Sequence, residues 1–591
     1  MRHLNGVAGA MTPPAFAFGL SSSPPAPLGA FVPLTSCNAR DVLPRSRRGD
    51  LVTATNRRRQ GRRRSRCTST AVCSAAAVNN AQDTPDVEEK TQGVGLYVHI
   101  PYCRRRCRYC DFAIVPIGSA AAAAIETDDP SASTSSAGGS STSKANDGFH
   151  KMDDAYRESL LAELDLIRRT TPNVGGRIPL RSIYFGGGTP SLAPTSTLRS
   201  ILSAIIECDD GPFCLPEDGN GIEITIEMDP GTFTEDMLRE LRDAGFNRIS
   251  LGAQSFDDVI LESIGRVHRR KDVLESIEMI DRVFGDMRQD DSHDGSSSTS
   301  SAPSFTYSLD LISGLPGLSL AKWAETLETA MNLNPRPDHL SLYDLQVEEG
   351  TVFGQWYGSE RDEEDGEERK NNVFTQTRSP PTINVETGSE VKALPSLPSA
   401  VDCAYMYRYA SGYLRAKGYE HYEISSYAQP GRRSKHNQIY WEVGSTWYAI
   451  GLGATSSVGG NRFARPRTMA DYIEWVLDQK EKVETEKGIP SWLEAGEDDA
   501  EEEGLLTDVI MTKLRTREGL DLNWIRNENI LGQSKADAVL RGAELALDMD
   551  LAKREQYDDN NYDYLRLEDP DGFLFSNTII SQIFVELDEL E

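Results

Sequence analysis

Nowhere in its 591 residues does the chain stay apolar for the roughly 20 residues that a membrane-spanning helix needs, so no transmembrane segment is expected. Cysteine is scarce: the nine present do not make the disulfide framework of a secreted scaffold. Acid is nearly missing from the start of the chain, and lysine is missing there altogether. Residues 1–82 hold twelve Arg, no Lys and only Asp41 and Asp50 as acids, a balance of +10. The whole chain carries −29, so residues 83–591 carry the difference, −39. That negative excess argues against nucleic acid as a partner of the folded part. A leader rich in Arg, Ser, Ala and Pro and almost free of acid has the composition of an organelle transit peptide. The Arg run over 57–66 also fits a nucleic-acid or nuclear-import patch, which stands as the alternative.

The informative residues gather between 95 and 112. A short apolar stretch, 96–100, reads as a buried strand stopped by Pro101, and Cys103, Cys107 and Cys110 follow on the loop. No fourth Cys or His is near: Phe112 stands where one would fall, and the next cysteine is Cys208. Structural zinc closes with four ligands, whereas a [4Fe–4S] cluster held by three thiolates keeps one iron open. Zinc completed by a distant ligand stays the alternative. Cys208, Cys214 and Cys403 read as structural or incidental, and Cys37, Cys67 and Cys73 lie in or near the leader.

Beyond the loop, strand and helix patterns alternate. Strands are expected over 182–185, 222–228, 248–251, 306–312 and 339–345. Helices are expected over 152–169, 195–206, 235–244, 257–284 and 320–332. Six such units force parallel pairing with right-handed crossovers and are too few for an ordinary eight-fold barrel. The stretches 118–148, 295–304, 357–399 and 494–503 are low-complexity or acid-rich and read as solvated, disordered inserts. From about 400 the character changes to helices, such as 401–417 and 504–516, with short strands.

A strand followed by Cys-x3-Cys-x2-Cys resembles the signature of the radical S-adenosylmethionine (SAM) enzymes. The His-Ile-Pro before the first thiol, 99–101, narrows the resemblance to the branch containing oxygen-independent coproporphyrinogen III oxidase and the haem chaperone HemW. The resemblance implies an α/β fold: an open partial (β/α)6 barrel over 93–356, a smaller mixed, largely helical domain over 400–591 and a presequence over 1–82. It implies a [4Fe–4S] cluster on Cys103, Cys107 and Cys110 whose open iron chelates SAM, with one-electron cleavage to a 5′-deoxyadenosyl radical. Carried over position by position, Gly187, Gly188 and Thr189, in Gly-Gly-Gly-Thr-Pro, face the methionyl amino group of SAM. Glu227 contacts the ammonium or ribose, Gln254 the ribose, Arg266 the methionyl carboxylate, and Asp310 is a further ribose or SAM contact; Tyr97 lies near the cluster.

The oxidase has Cys two positions after the third ligand, where this chain has Phe112, and it has an N-terminal segment that helps form its substrate site. In the other direction, His436-Asn-Gln-Ile-Tyr440-Trp441 is similar to the His-Asn-x-x-Tyr-Trp motif of HemW-like proteins. There His436 would ligate haem iron between Tyr440 and Trp441, a packed structural histidine being the alternative. The expected function is therefore a haem chaperone, with oxidative decarboxylation of coproporphyrinogen III as the alternative. The implied partners are haem or a porphyrinogen, haem-accepting proteins and an electron donor such as ferredoxin or flavodoxin. Phe-containing stretches, 15–18 and 29–31, resemble plastid signals of algae with secondary plastids, so a plastid is the expected location and a mitochondrion the alternative.

Overall fold

The strand that carries the cysteine loop is buried on both sides. In β1 (Val94–Ile100) every residue from Gly95 on is buried, as a parallel strand covered on both faces requires. The computed structural model describes residues 93–118, 142–170, 177–207, 211–216, 221–288, 304–358, 395–486, 500–557 and 562–590. The expected presequence, 1–82, and most of the expected inserts lie outside the described residues.

Parallel to β1 run, in order, β2 (Ile178–Gly187), β3 (Glu223–Met228), β4 (Arg248–Gln254), β5 (Thr306–Ser313) and β6 (His339–Asp344). Between them lie α1 (Thr142–Thr170), α2 (Thr195–Ile206), α3 (Glu235–Ala244), α4 (Asp258–Ser263), α5 (Arg270–Phe284) and α6 (Leu320–Met331). Each packs an apolar stripe on the sheet. In α2 the stripe is Leu198, Ile201, Leu202 and Ile205, the i, i+3, i+4, i+7 spacing of one helix face. The first helix starts earlier than its apolar pattern indicates, at Thr142 rather than near 152.

Residues past 400 do not all form a separate domain. After α7 (Ala400–Ala416), the antiparallel pair β7 (Glu420–Glu423) and β8 (Ser426–Ala428) extends the sheet beyond β6. After α8 (Lys435–Trp441), β9 (Trp447–Ile450) runs parallel to β1 on its other side, followed by β10 (Thr455–Val458) and β11 (Asn461–Ala464). The order is β7-β8-β6-β5-β4-β3-β2-β1-β9-β10-β11. It has two ends, so the barrel is open. Helix α9 (Met469–Glu486) packs beside α1.

A second apolar core, with Ile510, Leu520, Ile525, Val539, Leu565 and Ile583, organises the smaller, largely helical part over 500–590. Its three strands are β12 (Leu520–Asp521), β13 (Ala552–Tyr557) and β14 (Tyr562–Leu567), with β14 central. Asp569 ties it to the barrel, meeting His421 of β7 at 2.8 Å and taking the Ser411 hydroxyl of α7 at 2.7 Å.

Helix α8 closes the end of the barrel where the strands begin. Ile439 and His436 lie under Gly95, where a Cβ would come within 2.9 Å of Ile439 Cδ1. Glu223, the first residue of β3, caps the helix by accepting from the Lys435 and His436 amides at 3.0 Å each.

A buried ion pair locks α1 to the added strands. Arg465 Nε donates to Glu163 Oε1 at 2.8 Å, and both side chains are fully buried. Glu163 Oε2 also accepts from the Gly451 amide at 3.0 Å and from Tyr472 at 2.6 Å. Such a pair is costly to break because the surviving charge keeps no partner. Glu163→Leu is expected to lower stability by about 3–5 kcal/mol, read as a drop in the urea midpoint; a loss under about 1 kcal/mol would show the pair to be dispensable.

Candidate cofactor site at the C-terminal ends of the barrel strands

The cysteine loop leaves β1 and is stapled down by its own arginines. Arg104 donates to Gly231 O at 2.8 Å, Arg105 to Arg266 O at 2.8 Å, and Arg108 to Ser263 O at 2.6 Å. Arg106 holds the carbonyls of Cys110 and Phe112, at 3.2 and 2.9 Å. These residues were not singled out from the sequence. The signal was available: four arginines within five positions, in a folded part that is otherwise strongly acidic.

Cys103 Sγ lies 3.6 Å from Thr189 Oγ1, and Arg266 Nη1 points at Cys107 Sγ from 3.7 Å. Burial pushes the Cys103 thiol up to about 12 and the Cys110 thiol up to about 11; Cys107 adds to both, and Cys110 adds to the shift of Cys103. Among the described residues no three Cys, His, Asp or Glu side chains converge as a single metal ion needs.

The glycine turn at the end of β2 is pressed against the exit of β1. A Cβ on Gly187, which has φ +111°, would overlap the His99 ring, and one on Gly188 would come within 2.6 Å of the Pro101 backbone. Its amides are occupied: Gly187 N donates to Glu227 Oε2 at 3.0 Å, Gly188 N to Ile100 O at 2.9 Å, and Thr189 N to Tyr102 O at 2.7 Å. They hold the cysteine loop and Glu227, leaving carbonyl oxygens as what the turn can offer.

Glu227, at the end of β3, also accepts from the Tyr184 hydroxyl at 2.8 Å. Burial, with the Asp310 carboxylate adding to it, pushes Glu227 up to about 7 against these two hydrogen bonds. Asp310 of β5 takes the Ser250 hydroxyl at 2.9 Å, and burial pushes it up as well. Gln254 ends β4 where the register with β5 slips, and its φ of +64° is left-handed without being glycine. Such strain marks functional positions.

Arg266 donates to Gly252 O at 2.7 Å and is ion-paired with Asp229, a partner the sequence did not reveal. Gln254 Oε1 and Arg266 Nε are buried and make no hydrogen bond. Beside a three-thiol loop, these two orphaned groups fit a polar cofactor.

Two further expected site residues, Tyr97 and His436, are closed in by their neighbours. Tyr97 is fully buried behind Gly186, its hydroxyl 3.2 Å from His99 Nδ1. His436 lies at the opposite end of the barrel, fully buried, with Nδ1 at 2.8 Å from Ser182 Oγ and Nε2 at 2.9 Å from Tyr440 Oη. On this geometry both ring nitrogens of His436 are taken by hydroxyls, which fits the packed structural histidine that stood as the alternative. Tyr440 and Trp441 are buried with it and do not flank an open slot.

The Radical SAM superfamily profile matches residues 97–287, and the open barrel with its thiol loop and strand-end polar groups is that of a radical SAM protein. The chain is 31% identical to the haem chaperone HemW of Synechocystis, over 83% of this chain and 97% of that protein. It is 29% identical to the bovine mitochondrial radical S-adenosyl methionine domain-containing protein 1, over 62% of this chain and 60% of that one. The solved structure of Escherichia coli coproporphyrinogen III oxidase superposes with a TM-score of 0.54 at 17% identity, over 83% of this chain and 90% of that one. The chain belongs to the HemW family.

Because three thiolates are the fewest that hold such a cluster while leaving one iron open, Cys103→Ala, Cys107→Ala and Cys110→Ala should each abolish cluster assembly. Iron and sulfide analysis after anaerobic reconstitution checks this, and a full four-iron count in any of the three would refute the ligand assignment.

Proposed function

We propose that this protein is a haem chaperone that holds a [4Fe–4S] cluster and SAM at the strand ends, binds haem and passes it to haem-requiring proteins. What carries the reading is the match to the Synechocystis haem chaperone over 97% of that protein's length. Likeness to the coproporphyrinogen III oxidase is one of fold, and Phe112 occupies the place where that enzyme type carries a further cysteine.

Cys103, Cys107 and Cys110 would hold the cluster, which when bound supplies one-electron reduction of SAM at its open iron. The carbonyls of the glycine turn and the Glu227 carboxylate suit an ammonium. Arg266 Nε suits a carboxylate, and Gln254 Oε1 and Asp310 suit ribose hydroxyls. A small electron carrier such as ferredoxin or flavodoxin would reduce the cluster. Residues 1–82 would direct the protein to an organelle; mitochondrial naming of the bovine relative fits that broad reading, and the Phe-containing leader favours a plastid.

Anaerobic protein given SAM, a one-electron reductant and coproporphyrinogen III should yield no protoporphyrinogen, while haem titration should give a saturable Soret band. Protoporphyrinogen accumulating with 5′-deoxyadenosine would make it the oxidase instead. Arg266→Ala should retain the cluster and weaken SAM binding by roughly tenfold or more, a charge-assisted hydrogen bond being worth about 1.5–3 kcal/mol; equilibrium binding of labelled SAM checks it, and unchanged affinity removes Arg266 from the site.

A further inference from the structure

Residues two or four apart on a strand share a side. The interior side of β2 thus carries Ser182, Tyr184 and Gly186, and that of β3 carries Glu223 and Glu227. His436 joins the lower ends of both. Its ring bonds Ser182 Oγ and Tyr440 Oη, and its amide donates to Glu223. Above Ser182, the Tyr184 ring is stacked by His436, with centroids 4.9 Å apart and planes 24° apart, and by Tyr97 at 6.1 Å and 21°.

Held this way, the Tyr184 hydroxyl lands on Glu227 Oε1 at 2.8 Å. Gly186 leaves room for that contact: a Cβ there would come within 2.8 Å of Tyr184 Cε1 and 2.9 Å of Glu227 Oε1. Every link from the HemW-like motif to the strand-end carboxylate is therefore a direct contact.

We propose that His436 is a positioning residue for the SAM site: by stacking on Tyr184 it holds the Tyr184 hydroxyl on Glu227, and so fixes the carboxylate that receives the cofactor. This rests on the reading of Glu227 as a SAM contact. Glu227 can meet an ammonium with one oxygen lobe only if the other lobes stay aimed at Tyr184 and Gly187, and an unanchored phenol would rob it of that aim. To reach an iron instead, His436 would have to give up two hydrogen bonds and a ring stack.

The test uses reconstituted full-length protein, with labelled-SAM binding and haem titration run in parallel. Tyr184→Phe keeps the ring and loses only the hydroxyl, so it folds; SAM should bind roughly tenfold more weakly. His436→Gln should weaken SAM by several-fold, with iron content and the haem Soret band unchanged. The double variant should be no worse than the weaker single, because both act through one hydrogen bond. Wild-type SAM affinity in His436→Gln, or losses that add in the double variant, would overturn the proposal. So would a lost or shifted Soret band with SAM binding intact, which would return His436 to the iron. If the wild-type protein fails to bind SAM, the site reading itself falls, and the inference with it.

Discussion

The cysteine loop and the glycine turn occupy each other's space, and the site follows from that crowding. With no side chains at 186–188, the turn after β2 closes on His99, Pro101 and Tyr102. The contact sets Cys103 beside Thr189 and hands Gly187 N–H to Glu227. One steric condition thereby fixes a metal-binding loop, a carboxylate and the spacing between them. Glycine is needed here for want of room, and at Gly187 for its dihedral as well.

The barrel interior is polar, and burial works against charge on its titratable groups. It pushes Glu227 up to about 7 and drives His99 down to about 4 and His436 to about 3, which keeps the two histidines neutral. Neutral groups with hydrogen-bond partners are what a desolvated interior tolerates. A cation arriving at the strand ends would shift the balance, since a positive charge within a few ångströms favours ionised carboxylates. The interior is in that sense set for a cationic ligand without holding a permanent negative charge against nothing.

Most of this was legible in the chain, for reasons that differ by element. The six barrel strands show as short apolar runs because both of their faces are covered. The site residues Glu227, Gln254, Arg266 and Asp310 were carried over from the family resemblance, and the fold brings them to one end. What escaped was non-local. Strands β7 to β11 have four residues or fewer, and although β7–β8 and β10–β11 are local hairpins, they join the sheet through partners far away in sequence, β8 on β6 and β9 on β1. The start of α1 hid in a Ser-, Asn- and Gly-containing stretch with no apolar face. The 436–441 motif was visible, but which end of the barrel it occupies was not. Asp229 was likewise invisible as the partner of Arg266, because nothing in its local sequence points to it.

Strand β1 has a second consequence of topology. Its outer neighbour, β9, is encoded some 350 residues downstream, so a ribosome adding about 5–20 residues per second leaves β1 with one unpaired edge for on the order of 20–70 s. During that interval the strand that presents the three thiols is also a template for wrong pairing. Arrival of β9, and of the Arg465 side chain that follows β11 onto Glu163, ends the exposure in one step. The order of synthesis thus makes the last barrel strand the event that protects the first, and sets a minimum age before the thiol loop has its finished surroundings.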